Sequence, residues 1–234
     1  MSGRLGGVQK LVRDVVPRAI YIHCSNHSLD LVLAYASSLQ VIKSFFGTVK
    51  AVIKFIHTSP KRRRILAGAI ESISIETKRR NLVKLCDTRW VEKQSSIIVF
   101  RQVFSGIIIA MEYLIEQGDS ETSSLARAFA KAILDIDFTI PLIIVGPVFY
   151  ITKGYTEQFQ KPTCDLVKCY QGIEQISTYL SGLLYDGEHF NEVYDEFTTF
   201  ATTNEIEIRL SRIAFLKYPT VKEYFKEVRE SQIS

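Results

Sequence analysis

Apolar residues recur at intervals of three and four along most of this chain, the spacing that lines one face of an α-helix. Residues 42–56 give the clearest case. Ile42, Phe45, Phe46, Val49, Val52, Ile53 and Ile56 form one stripe, with Lys43, Lys50 and Lys54 on the opposite side. The stretch GGVQKLVRDVVP reads as a short helix with Val8, Leu11, Val12 and Val15 on one face, stopped by Pro17. RAIYIHC is β-branched and aromatic and predicts a strand. SLDLVLAYASSL predicts a helix, and Ser59-Pro60 is set to open another. From Val91 to Gln117 the apolar positions Ile97, Phe100, Phe104, Ile107, Ile108, Met111, Leu114 and Ile115 run without interruption. They predict one helix of about 40 Å.

Gly118-Asp119 should end that helix and cap the next, whose inward face would carry Leu125, Phe129 and Ile133. The apolar run FTIPLIIVGPVFYI is too short to span a bilayer and is interrupted by Pro141 and Pro147, so it reads as buried core. A helix through Phe149 and Tyr155 should follow it. Another should run from about Asp165 to Leu184, carrying Leu166, Cys169, Ile173, Ile176, Leu180 and Leu183. Asp186-Gly187 then turns the chain into HFNEVYDEFTTFA, with Phe190, Val193, Phe197 and Phe200 inward. The sum is one strand and about eight helices, a mainly α fold. A single strand makes no sheet, so either the domain is all helical or the strand pairs with partners outside this chain.

Composition changes this picture little. The length of 234 residues fits one large domain or two small ones, and 47% apolar with 23% charged residues is ordinary for a folded globular chain. The four cysteines, Cys24, Cys86, Cys164 and Cys169, are scattered with no framework spacing and read as reduced thiols of a nuclear or cytosolic protein. The first ten residues lack the apolar core of a signal peptide. Charge adds more. The net charge is +4, but residues 1–93 hold 17 Lys+Arg against 6 Asp+Glu, whereas residues 94–234 hold 12 against 19. This asymmetry suits a polyanion on one face, or is solvated surface.

Candidate chemistry is sparse. Cys24 and His27 have the spacing of half a zinc site, with no second pair to complete it. A thiol and an imidazole locking a strand end to a helix start explains them better. The six acids of the first 93 residues form no pair suited to Mg²⁺, and there is no Gly-rich phosphate loop or nucleophile elbow. Two basic clusters stand out, Lys61-Arg62-Arg63-Arg64 and Lys78-Arg79-Arg80. Such runs contact phosphates, serve as nuclear addresses or lie in solvent. In LCDTRWVEK the only tryptophan, Trp90, directly follows Arg89. The pair suits stacking on a nucleobase with a phosphate alongside, or anchors a loop to the bundle.

PRAIYIHCSNHSLDLVL and LVKLCDTRWVEK together resemble the hAT-superfamily transposases, in the domesticated branch of the zinc finger MYM-type protein 1-like proteins and of a THAP-domain repressor. In that family a strand ends in C-x-x-H before an L-x-L helix start, matched by Cys24, His27, Leu29 and Leu31. A T-R-W signature follows, matched by Thr88, Arg89 and Trp90, with Asp87 just ahead of it. The opening MSGRLGGVQ resembles the second half of a D-G-x-x-N-M-S-G-x-x-x-G-V-Q stretch. The resemblance implies an RNase H-like α/β core interrupted by a helical insertion. Residues 1–27 would be a remnant of that core, one helix and its last strand. Residues 28–234 would be the all-helical insertion, truncated before the core resumes.

It also implies that the catalytic acids, two aspartates and a glutamate that hold Mg²⁺ in intact relatives, fall outside this chain, which would start at an internal methionine of the motif. The expectation is a nuclear, transposase-derived DNA-binding fragment. It would have no enzymatic activity, no cofactor, no resident metal and no membrane, and could self-associate or pair with other transposase-derived proteins. DNA contact would fall to Arg89, Trp90, Lys61, Arg62, Arg63, Arg64, Lys78, Arg79 and Arg80, with Cys24, His27, Asp87 and Thr88 structural. The rival expectation is a helical protein–protein interaction module with no nucleic-acid role.

Overall fold

The computed structural model describes residues 6–20, 39–73, 81–85, 90–159, 165–185 and 187–209. Among these residues there are nine helices and no strand. The chain divides into two units, residues 1–36 and 37–234. Of the first unit, helix α1 (Val8–Val15) and its flanks are described. The helix forms where the sequence places it, yet none of its residues is buried, and Val15 is 82% exposed. Arg18 to Ile20, the first part of the expected strand, are irregular. Residues 21–24 and the expected helix over 28–38 lie outside the described residues.

In the second unit the described helices are α2 (Gln40–His57), α3 (Pro60–Ser72), α4 (Trp90–Gln102), α5 (Phe104–Gln117), α6 (Ser120–Ile133), α7 (Ile136–Phe159), α8 (Leu166–Tyr185) and α9 (Gly187–Thr203). Helix α2 buries the stripe read from its sequence, with Phe55 added and Ile42 only half-buried, and keeps Lys43, Lys50 and Lys54 exposed. The core is threaded by aromatic rings. Phe46 meets Phe45 at 5.2 Å, Phe45 meets Phe138 at 5.1 Å, Phe138 meets Phe100 at 5.9 Å and Phe100 meets Phe104 at 6.3 Å. These tilted pairs join α2, α7, α4 and α5 by apolar burial and edge-to-face contact.

Three expectations about the elements need correction. The predicted helix over Val91–Gln117 is two helices, α4 and α5, bent by 69° at Val103. Periodicity cannot report such a bend, because both arms keep their apolar stripe on the core side. Val103 is fully buried at the corner. Second, Pro141 and Pro147 do not interrupt α7, which runs for 24 residues through both. Each proline costs roughly 3 kcal/mol inside a helix. Against that stand Phe138, Leu142, Ile143, Val145 and Phe149, all buried, at about 1.5–3 kcal/mol apiece. By length and composition α7 could cross a membrane, but half of its apolar window is buried inside the bundle, as befits a core helix. Third, Leu125 is 41% exposed, and α6 faces the core through Ala126, Ala130 and Ile133.

Closely packed glycines set two of the junctions. A Cβ at Gly106 of α5 would stand 2.8 Å from Ile70 Cγ1 and 3.4 Å from Ile70 Cα, so α3 and α5 meet almost backbone to backbone. At Gly118 a Cβ would stand 2.4 Å from the Leu114 carbonyl oxygen, which explains the glycine even though its φ of −80° is ordinary.

Candidate nucleic-acid interface

The first turn of α3 concentrates positive charge where a helix least favours it. Ser59 caps the helix, its Oγ accepting from the Arg62 N–H at 3.4 Å, and Pro60 occupies the first helical position. Lys61, Arg62, Arg63 and Arg64 follow with no acid in that turn, against the positive end of the helix dipole. Two compensations are visible. Arg62 folds back onto the end of α2. Its Nη1 donates to the Phe55 carbonyl oxygen and, at 3.4 Å, to Thr58 Oγ1, and its guanidinium lies 4.2 Å from the centre of the Phe55 ring. There the dipole of α2 favours a cation. The second is Asp119, the N-cap of α6. Its carboxyl is held below the usual carboxylate range by the Thr122 N–H at 2.7 Å and the Thr122 hydroxyl, and further by the nearby Arg62 and Lys61. Lys61, Arg63 and Arg64 remain exposed.

The approach to Trp90 is pinned to the same place. Residues 81–85 are irregular, with Leu82 and Leu85 buried and Lys84 exposed between them. The His57 Nε2, in the last turn of α2, lies 3.0 Å from the Leu82 carbonyl oxygen. Ser96 of α4 is fully buried, and its Oγ is 2.9 Å from the Lys84 carbonyl and 2.8 Å from that of Glu92. The basic turn of α3 and the segment leading into Cys86–Trp90 thus converge on one helical turn, Phe55 to Thr58.

On the far side of the signature α4 is fixed by an unusual core residue. Gln94 is fully buried; its Nε2 donates to Thr152 Oγ1 at 2.9 Å, while its Oε1 meets no donor among the described residues. Thr152 in turn donates to the Val148 carbonyl at 2.8 Å, one turn back in α7. Lys93 sits with Nζ 3.8 Å from the centre of the Phe46 ring. These anchors were not expected from the sequence, since Gln94, Ser96 and Thr152 carry no pattern that separates a buried polar residue from an exposed one.

Of the sequence-derived site residues, Lys61, Arg63 and Arg64 are brought together on an exposed turn, and Arg62 is withdrawn from it onto Phe55. Trp90 is the first residue of α4. Cys24, His27, Lys78, Arg79, Arg80, Asp87, Thr88 and Arg89 lie outside the described residues. Among the described residues no three His, Cys, Asp or Glu side chains gather as a metal site would.

No protein-family model matches the chain, and no solved structure matches it. The chain is similar to the 52 kDa repressor of the inhibitor of the protein kinase of Homo sapiens, at 21% identity over 216 residues, covering 89% of this chain and 28% of that protein. It is similar to the Mus musculus protein of the same name at 21% identity over 217 residues, covering 89% of this chain and 29% of that protein. The likeness is distant but runs through nearly the whole chain, which spans less than a third of the length of these relatives.

Proposed function

We propose that this chain is derived from a hAT-type transposase and binds DNA without cutting it, through the exposed cations around the last turn of α2. The carrying observation is the convergence there of the α3 basic turn and the pinned approach to Arg89-Trp90. The distant likeness to the repressor supports transposase ancestry. The further likeness to the zinc finger MYM-type protein 1-like branch rests on the motifs alone. The reading includes a nuclear location, no resident metal or cofactor, and no membrane. It also allows self-association or pairing with other transposase-derived proteins.

One observation favours the rival reading of a protein–protein interaction module. Arg62, the most constrained cation of the cluster, is turned inward as a brace on Phe55. Salt-titrated binding to duplex and flapped DNA, followed by fluorescence anisotropy, separates the two. Arg63→Ala with Arg64→Ala should weaken binding and lower the log–log salt slope by roughly 0.9 for each phosphate no longer neutralised. Trp90→Ala should weaken the flapped substrate more than the duplex. Absent binding at low salt, or binding indifferent to salt, would reject DNA as the partner. Metal-dependent nicking by the purified chain would reject the inactive reading.

A further inference from the structure

Local sequence permits the 69° bend between α4 and α5 but does not fix its angle. The corner residue is Val103, followed closely by Ser105-Gly106, a pair at which helices kink readily; one helical hydrogen bond is kept on either side of the corner. The Val103 N–H reaches the Val99 carbonyl at 3.1 Å, and the Ile107 N–H reaches the Val103 carbonyl at 3.0 Å. The Ser-Gly pair lets the chain turn sharply, and packing selects the angle.

Helix α9 supplies three links around that corner. Glu196 pairs with Arg101, two residues before Val103. Phe200 packs on Phe104, the next residue, with ring centroids 4.9 Å apart. Asn204 Oδ1 accepts from Ser105 Oγ at 2.8 Å, two residues after it. Positions 196 and 200 of α9, and 204 just past its last residue, are spaced by four and fall on one side. Asn204 is held at the helix end by a paired C-terminal motif. The Ile206 N–H bonds the Ala201 carbonyl at 2.8 Å and the Glu205 N–H bonds the Thr202 carbonyl at 3.3 Å. Glu205 stands at φ 54°, a position that usually takes glycine. Arg101 is half-buried and passes against Gly146 of α7, where a Cβ would stand 3.0 Å from its Nη1. Arg101, Phe104, Ser105, Glu196, Phe200 and Asn204 line an open cavity of about 460 Å³ between α9 and the corner.

We propose that α9 is a strap that holds the α4–α5 elbow at its bent angle, and that loosening its three links opens the elbow at Val103. Helix α5 carries α3 and its basic turn through the Gly106–Ile70 contact, whereas α4 starts at Trp90. The strap therefore acts on the spacing between the start of α4 and the cations of α3, beside the α2 contacts that anchor both. A bearing on DNA affinity rests on the function proposed above; the strap itself does not.

Double electron–electron resonance on the full chain tests it, with nitroxides carried by unnatural residues at the exposed positions Glu92 and Glu116. From the helical rise, these backbone positions are about 30 Å apart across the bent elbow and about 36 Å apart across a straight one. The native chain should give one short population. Glu196→Gln combined with Asn204→Ala should add a longer one, by up to about 6 Å at full opening. Because the ion pair is partly exposed, about 1 M salt should shift the native chain in the same direction. This keeps the test valid if the variant fails to fold. Distances unchanged in both the folded variant and high salt would overturn the strap, as would an unchanged native chain in high salt beside an unfolded variant. The readout contains no DNA, so its failure leaves DNA binding standing, and failure to bind DNA leaves the strap standing.

Discussion

Gln94 poses a problem of satisfaction rather than of packing. A buried amide can make several hydrogen bonds, and this one makes its protein contact through Nε2 alone. The asymmetry predicts two unlike mutants. Gln94→Leu removes both the unmet acceptor and the donor, and Thr152 keeps its bond to Val148, so stability should change by less than about 1 kcal/mol. Thr152→Val deletes the acceptor that the Gln94 amide uses and should cost about 1–3 kcal/mol. Urea denaturation checks the order; a milder loss in Thr152→Val than in Gln94→Leu would sink it. Residues of this kind are where the sequence is least informative. KQSSI at 93–97 is a polar stretch within the predicted helix with no apolar spacing to mark an inward face, yet Gln94 and Ser96 are both fully buried.

At the scale of elements, legibility follows the locality of the cause. The start of α3 at Ser59-Pro60, the Gly118-Asp119 junction and the α2 stripe rest on caps, dipoles and periodicity, all written within one helix length, and they are found where the sequence places them. The elbow at Val103 and the unbroken α7 depend on partners many residues away, and no window of sequence contains them. The exposed Leu125 has a similar origin, because small alanines let α6 approach its neighbours along a different face. Close approach also makes a prediction for the α3–α5 pair. Gly106→Ala gains helix propensity of about 1 kcal/mol, but its Cβ would collide with Ile70 Cγ1 at 2.8 Å while already touching the Ile70 backbone. Overpacking of this sort costs typically about 1–3 kcal/mol. The variant should therefore lose stability in thermal or urea melts despite its better helix former. A gain would show that the packing there is slack.

The molecule as a whole pairs a well-filled helical unit with an N-terminal unit whose described helix buries nothing. Helix α1 exposes Leu11 at 60% and Val15 at 82%, an apolar face of the kind that drives non-specific association. Leu11→Gln with Val15→Gln should therefore lower light scattering of concentrated solutions and leave the melting of residues 37–234 unchanged. Equal scattering would mean that the face contributes nothing to association. The charge asymmetry also belongs to this scale, since cations gathered in the first 93 residues act together on a polyanion whatever each does alone. In the second unit the chain's sole indole opens α4, between the Leu82–Leu85 anchor and the Gln94 anchor. Under excitation selective for tryptophan, all emission from this protein originates at that one position. Its wavelength and quenching report on the candidate interface directly, with no label attached and no other tryptophan to subtract.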